Sequence, residues 1–89
     1  MKKKLSELKD SGYYAIFVDC EGFFMHFFTV QGRRYCSVSA RREELERGFM
    51  VFKSKKTAEK YAELIREVYR DSAKVIEVHS SEFNRYLHR

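Results

Sequence analysis

The 89-residue chain has no proline, no tryptophan, two cysteines and four glycines. Without proline, its turns must be built from glycine and short polar dipeptides. Two cysteines are too few for a disulfide scaffold and imply reduced thiols in a cytoplasmic protein. No apolar run reaches the ~18 residues a spanning helix needs. The opening Met-Lys-Lys-Lys is not followed by an apolar signal segment, so neither a membrane partner nor secretion is indicated. The glycines stand singly at turns or element ends, which leaves no phosphate-cradling loop. No two of His26, His79, His88, Cys20 and Cys36 have a zinc-ligand spacing. Glu43-Glu44 reads as a helix-face pair rather than a catalytic dyad, and no nucleophile–base pair is evident. The expectation is a protein without enzymatic activity, metal or cofactor.

What is present is a globular balance of 44% hydrophobic and 35% charged residues. A chain of this length buries only about two-thirds of its unfolded surface. Its core must be thin, and an aromatic content of 16% gives that core more area per side chain. The net charge of +5 is unevenly placed. Residues 1–30 and 57–89 are each balanced, four against four and six against six. The whole excess falls in residues 31–56, where Arg33, Arg34, Arg41, Arg42, Arg47, Lys53, Lys55 and Lys56 outnumber Glu43, Glu44 and Glu46. Charge runs are usually only solvated. Segregation of this kind also marks a site for an anionic partner, most often nucleic acid.

Residues 13–39 predict three antiparallel strands, YYAIFVD, FFMHFFTV and RYCSVS, joined by Glu21-Gly22 and Gln31-Gly32. The second strand is apolar at nearly every position, where a half-buried strand would alternate. Two-residue turns pair Val30 with Arg33, Phe28 with Tyr35 and His26 with Ser37, and Cys20 with Phe23, Val18 with Met25 and Ile16 with Phe27. Parity then gives a core face of Tyr14, Ile16, Val18, Cys20, Phe23, Met25, Phe27, Cys36 and Val38. The other face carries Phe17, Phe24, His26, Phe28, Arg33 and Tyr35, aromatic and polar together. On the same pairing, Cys20 and Cys36 are too far apart for a disulfide.

Three short helices are predicted around this meander: residues 2–11 ending at Gly12, residues 40–47 capped by Ser39 and ended by Gly48, and residues 81–88 capped by Ser80 or Ser81. Between the last two, FMVFK reads as a strand, Ser54 caps a helix over about 55–70, and KVIEVH reads as a further strand. Ala58, Tyr61, Ala62, Ile65, Val68 and Tyr69 form one apolar stripe on that helix. Parallel pairing of its two flanking strands would give a right-handed crossover. The fold class is a single small α+β domain over residues 1–89, an antiparallel three-stranded meander followed by a strand–helix–strand unit, with short terminal helices.

Residues 47–65, RGFMVFKSKKTAEKYAELI, resemble the second half of an RNA-recognition motif, with Arg47, Gly48, Phe49, Val51, Phe52 and Ala58 matching in kind. With the strand that follows, the likeness covers about a third of the chain. It departs from that family in two respects. The strand is about two residues short, which removes one of the family's stacking aromatics. The first half has three successive strands instead of strand–helix–strand. The chain is not assigned to the family on this likeness.

Two functions of different class fit these residues. One is binding of single-stranded RNA or DNA, with Phe17, Phe24, Phe28 and Tyr35 stacking on bases, His26 stacking or hydrogen-bonding beside them, and the arginine segment on phosphates. Arg41 and Arg42 stand at the centre of that segment. The other is a small protein-binding regulator or inhibitor of phage type, similar in size and composition to anti-CRISPR proteins, docking on a larger protein that handles nucleic acid. Homodimerisation through the aromatic face is a related arrangement. If instead Leu5, Leu8, Phe83, Tyr86 and Leu87 cover that face, only the arginine segment stays open.

Overall fold

The second of the two meander turns is the tight one that the sequence spells. Gln31 and Gly32 both have positive φ, +51° and +79°, as a two-residue hairpin turn requires. Val30 accordingly faces Arg33, Phe28 faces Tyr35 and His26 faces Ser37. The first turn is longer. Val18 faces Gly22 and Phe17 faces Phe23, with residues 19–21 in the loop. Cys20 is left-handed at φ +64°, and the Glu21 amide donates to the Val18 carbonyl at 3.0 Å. Gly22 is therefore not a turn residue. It lies at φ +141° where the end of the third strand crosses so closely that a Cβ would stand 2.4 Å from the Ser39 carbonyl carbon.

The computed structural model describes residues 1–9, 12–68 and 72–87. Its strands are β1 (Lys2–Lys3), β2 (Tyr14–Val18), β3 (Gly22–Val30), β4 (Arg33–Ser39), β5 (Phe49–Met50) and β6 (Ala73–Glu77); its helices are α1 (Arg42–Leu45), α2 (Lys55–Val68) and α3 (Ser81–Tyr86). The main sheet has the order β4-β3-β2-β6 and is antiparallel throughout. The chain is a small α+β domain with the meander, the strand–helix–strand unit and the short C-terminal helix that the sequence predicts. Two elements differ. The strands flanking α2 are not parallel neighbours, because β6 pairs with β2 and β5 pairs with β1. The N-terminal helix is replaced by β1 and a single 3-10 turn at Leu5–Glu7. Three adjacent lysines and two leucines hold a helix poorly, whereas the backbone of Lys2 and Lys3 pairs with Met50 and Phe49. Its predicted end, Asp10 and Ser11, lies outside the described residues, as do Tyr69 of the α2 stripe and His88 of the last helix.

A β-bulge divides β3. Phe24 faces Val38 and His26 faces Ser37, so Met25 is the extra residue. Met25 and His26 therefore point to one side in succession. This inverts the parity of Phe23, Phe24 and Met25 relative to the rest of the strand. Phe24 goes to the α2 side with Ile16, Val18, Cys36, Phe52, Ala58, Ala62 and Ile65. Phe23 and Met25 go to the other side with Phe17, Leu5, Leu8, Leu45, Phe49, Val51, Ile76 and Phe83. Residues 49–52 feed both cores in alternation, and Phe52 exchanges two backbone hydrogen bonds with Tyr14, at 2.7 and 2.8 Å.

Local signals anchor the helices. The Ser54 hydroxyl accepts from the Thr57 amide at 3.3 Å and that of Ser80 from the Phe83 amide at 3.1 Å. Arg66 of α2 donates to the Ala73 carbonyl at the start of β6. The Lys74 ammonium donates to Tyr86 Oη at 2.8 Å and pairs with Glu82 at 3.1 Å, which ties α3 to β6. The Tyr86 hydrogen bond, then that of Glu82, raises the Lys74 pKa above the ordinary lysine value. This support is present below the ordinary pKa and is lost as pH rises through the raised one.

Ile65→Ala should cost about 2–5 kcal/mol, because Ile65 lies wholly buried at the centre of the α2 stripe. Exposed Glu63→Lys on the same helix should cost under about 0.5 kcal/mol. Denaturant melts compare the two, and equal losses would contradict the phase of α2.

The two β-hairpin glycines differ in the same assay. Gly22→Ala meets backbone atoms and a positive φ, and should cost more than about 3 kcal/mol. Gly32→Ala meets nothing within 4 Å and should cost only the left-handed strain, about 1–2 kcal/mol.

Candidate nucleic-acid interface on the hairpin arm

Both cores end before β3 does. From Phe28 through Tyr35 every residue is exposed, so the distal halves of β3 and β4 form a two-stranded arm beyond the packed body. Beyond the bulge, strand alternation assigns Phe28, Val30, Arg33 and Tyr35 to the side of His26. Phe28, Val30 and Tyr35 are 43%, 49% and 37% exposed, three of the five large apolar side chains that stand open among the described residues.

The aromatic members form a continuous group. Phe28 and Tyr35 face each other across the strands with ring centres 5.7 Å apart and planes inclined by 23°. His26 meets Phe28 edge-on at 6.3 Å. Cross-strand aromatic pairs of this kind steady a ribbon that has no core beneath it. The Lys2 ammonium stands 3.5 Å from His26 Nδ1, and the Lys2 stem passes over Gly48, next to Arg47. On the reverse face the Arg34 guanidinium lies 5.4 Å from the centre of the Phe27 ring. Among the described residues the ion pairs are Arg41 with Glu43 at 3.8 Å and Lys74 with Glu82. Lys2, Arg33 and Arg34 thus have no ion-paired carboxylate among the described residues.

The sequence-predicted residues separate in space. His26, Phe28, Arg33, Arg34 and Tyr35 come together on the arm. Phe24 does not: it is fully buried against α2 with its ring 4.8 Å from Phe27, because the bulge turns it away from the His26 face. Arg41 and Arg42 lie beyond the opposite end of β4, whose seven residues at ~3.3 Å each make a separation of about 20 Å from Arg33. There Arg41 is ion-paired and Arg42 borders a shallow cleft with Glu46 and His79. Lys53 lies over the Tyr13 ring at 5.4 Å, and exposed Lys55 and Lys56 occupy the first turn of α2. The arginine segment, continuous in sequence, is thus not one patch.

Lys2 and Val30 join the arm without having been singled out from sequence. Val30 was legible as the strand residue before the Gln31-Gly32 turn. Lys2 carried no signal, because its place depends on the pairing of β1 with β5. Cys20 is exposed in the first turn and Cys36 is buried, and no disulfide joins them. No group of three or more His, Cys, Asp or Glu able to hold a metal occurs among the described residues, and no helix there is long and apolar enough to cross a membrane. No protein-family model matches the chain, and neither curated proteins nor solved structures include a significant match.

Phe24 and Phe28 should respond oppositely to truncation. Phe24→Ala removes a fully buried ring and should cost about 3–5 kcal/mol. Phe28→Ala should cost about 1 kcal/mol or less, the worth of a cross-strand pair. Thermal unfolding of both variants checks the division of β3 into core and arm.

Proposed function

We propose that the chain is a non-enzymatic binding protein for single-stranded nucleic acid, and that the β3–β4 arm is its contact surface. The observation that carries this reading is the exposed Phe28–Tyr35 pair with Lys2, Arg33 and Arg34 around it, none of them ion-paired among the described residues. Bases stack on aromatic side chains while cations hold the backbone, and each stacked base contributes about 1–3 kcal/mol. Three phosphate contacts on a single strand predict a salt slope of roughly −2 in log K against log salt. Arg33, Arg34 and Lys2 take the phosphates, in preference to the distant Arg41 and Arg42. Half-exposed Val30 favours a second reading, in which the arm docks on a larger protein, since an aliphatic side chain adds nothing to base stacking.

Fluorescence anisotropy with a labelled single-stranded oligonucleotide tests the proposal. Phe28→Ala with Tyr35→Ala should weaken binding by about tenfold or more while the fold is kept. Arg33→Glu with Arg34→Glu should weaken it more than Arg41→Glu with Arg42→Glu, which changes net charge equally. Equal losses from the two arginine pairs would reduce the effect to overall charge and defeat the arm as a site. Absence of binding at low salt would leave the protein-docking reading.

A further inference from the structure

We infer that the arm selects pyrimidine-rich single strands over purine-rich ones. This rests on the nucleic-acid reading of the arm and names the substrate class within it.

The inference follows from ring spacing. Phe28 and Tyr35 have centres 5.7 Å apart, and Phe28 and His26 are 6.3 Å apart. Consecutive nucleotides of a stacked strand rise by only about 3.4 Å. The Phe28 and Tyr35 rings stack on each other, so bases resting on their two outer faces have both rings between them and stand more than one stacking repeat apart. They cannot also be stacked on each other. The strand must enter the arm with neighbouring bases pulled apart. Purine runs, with their larger rings, lose more self-stacking when separated, whereas pyrimidine runs are already loosely stacked and supple in the backbone.

The surroundings agree with this. Phe28 and Tyr35 are nearly parallel, inclined by 23°, and can each take one base, while His26 is inclined by 60° to Phe28 and presents an edge. His26 with Lys2 beside it suits a phosphate or a base edge rather than a third stacked ring. The footprint is thus two stacked bases and one adjoining nucleotide. The cations lie on both sides of the pair: Lys2 at the His26 end, Arg33 towards the turn, and Arg34 on the reverse face, where it steadies Phe27 and remains exposed. Discrimination then comes from the cost of unstacking rather than from reading base edges.

The test uses the intact chain and labelled oligothymidylate and oligoadenylate of equal length, about twelve nucleotides. At low salt, oligothymidylate should bind at least about fivefold more tightly. Shortening it to about three nucleotides should lower affinity only in proportion to the lost binding registers, about tenfold in all, with a steeper loss below that length. Tyr35→Ala should bring the two affinities together, because removing one ring relieves the need to separate neighbours; a change acting only on fold or net charge would lower both without altering their ratio. Circular dichroism melts confirm that the variant is folded. Equal or tighter binding of oligoadenylate, still weakened by Arg33→Glu with Arg34→Glu, overturns the inference and leaves the nucleic-acid reading standing. If neither oligonucleotide binds, both fall together.

Discussion

One strand has to serve two hydrophobic cores, and most of the architecture follows from that demand. Phe23 and Met25 need cover on one side of β3, and Phe24 and Phe27 on the other. Each phenylalanine buried contributes on the order of 1.5–3 kcal/mol relative to exposure, so neither side can be left wet. Helix α2 supplies one cover through Ala58, Ala62 and Ile65, whose two small residues let it lie close to the sheet. The other cover is assembled from separated pieces: the 3-10 turn with Leu5 and Leu8, Leu45 of α1, Phe49 and Val51, and Phe83 of α3. Both chain ends are drawn to the same face of the sheet for that reason.

A chain of this size does not have enough apolar surface to finish the task. Cover ends at the Phe27–Cys36 pair just past the bulge, and what remains of β3 with its partner β4 stands out as an arm. The bulge also determines what the arm carries. By turning Met25 and His26 to one side, it keeps Phe24 in the core and leaves Phe28 and Tyr35 on an open face. Exposed apolar groups gathered on one face are the feature on which the proposed contact surface rests. The ring pair across the strands gives the ribbon some stiffness.

Electrostatics divides along the same line. The basic middle third of the chain enters at the arm and leaves at the far end of β4, about 20 Å away. At physiological ionic strength that is more than twice the screening length of about 8 Å, so the two groups act nearly independently. At the far end Arg41 is paired with Glu43. On the arm, Arg33 and Arg34 form no ion pair among the described residues, and Lys2 is added from the N-terminus.

The sequence by itself determined the α+β class, the three-strand meander, the Gln31-Gly32 turn with the pairing of Phe28 to Tyr35, the stripe of α2 and the Ser54 cap, and it left the α3 cap between Ser80 and Ser81. These depend on residues close in the chain: the pairs flanking a two-residue turn, side chains three or four apart on a helix, a hydroxyl three residues from an amide. It did not determine the faces of Phe23, Phe24 and Met25, the partner of β5, or the conformation of Lys2 and Lys3. A bulge changes a strand by one residue without leaving a turn signal, and Gly22, which reads as a turn glycine, is needed instead for its approach to Ser39. Charge counted along the chain likewise could not show that β4 separates Arg33 from Arg41. Only the tertiary structure decided these points, because each depends on which distant segment lies alongside, and in so thin a core that is settled by both faces of β3 at once.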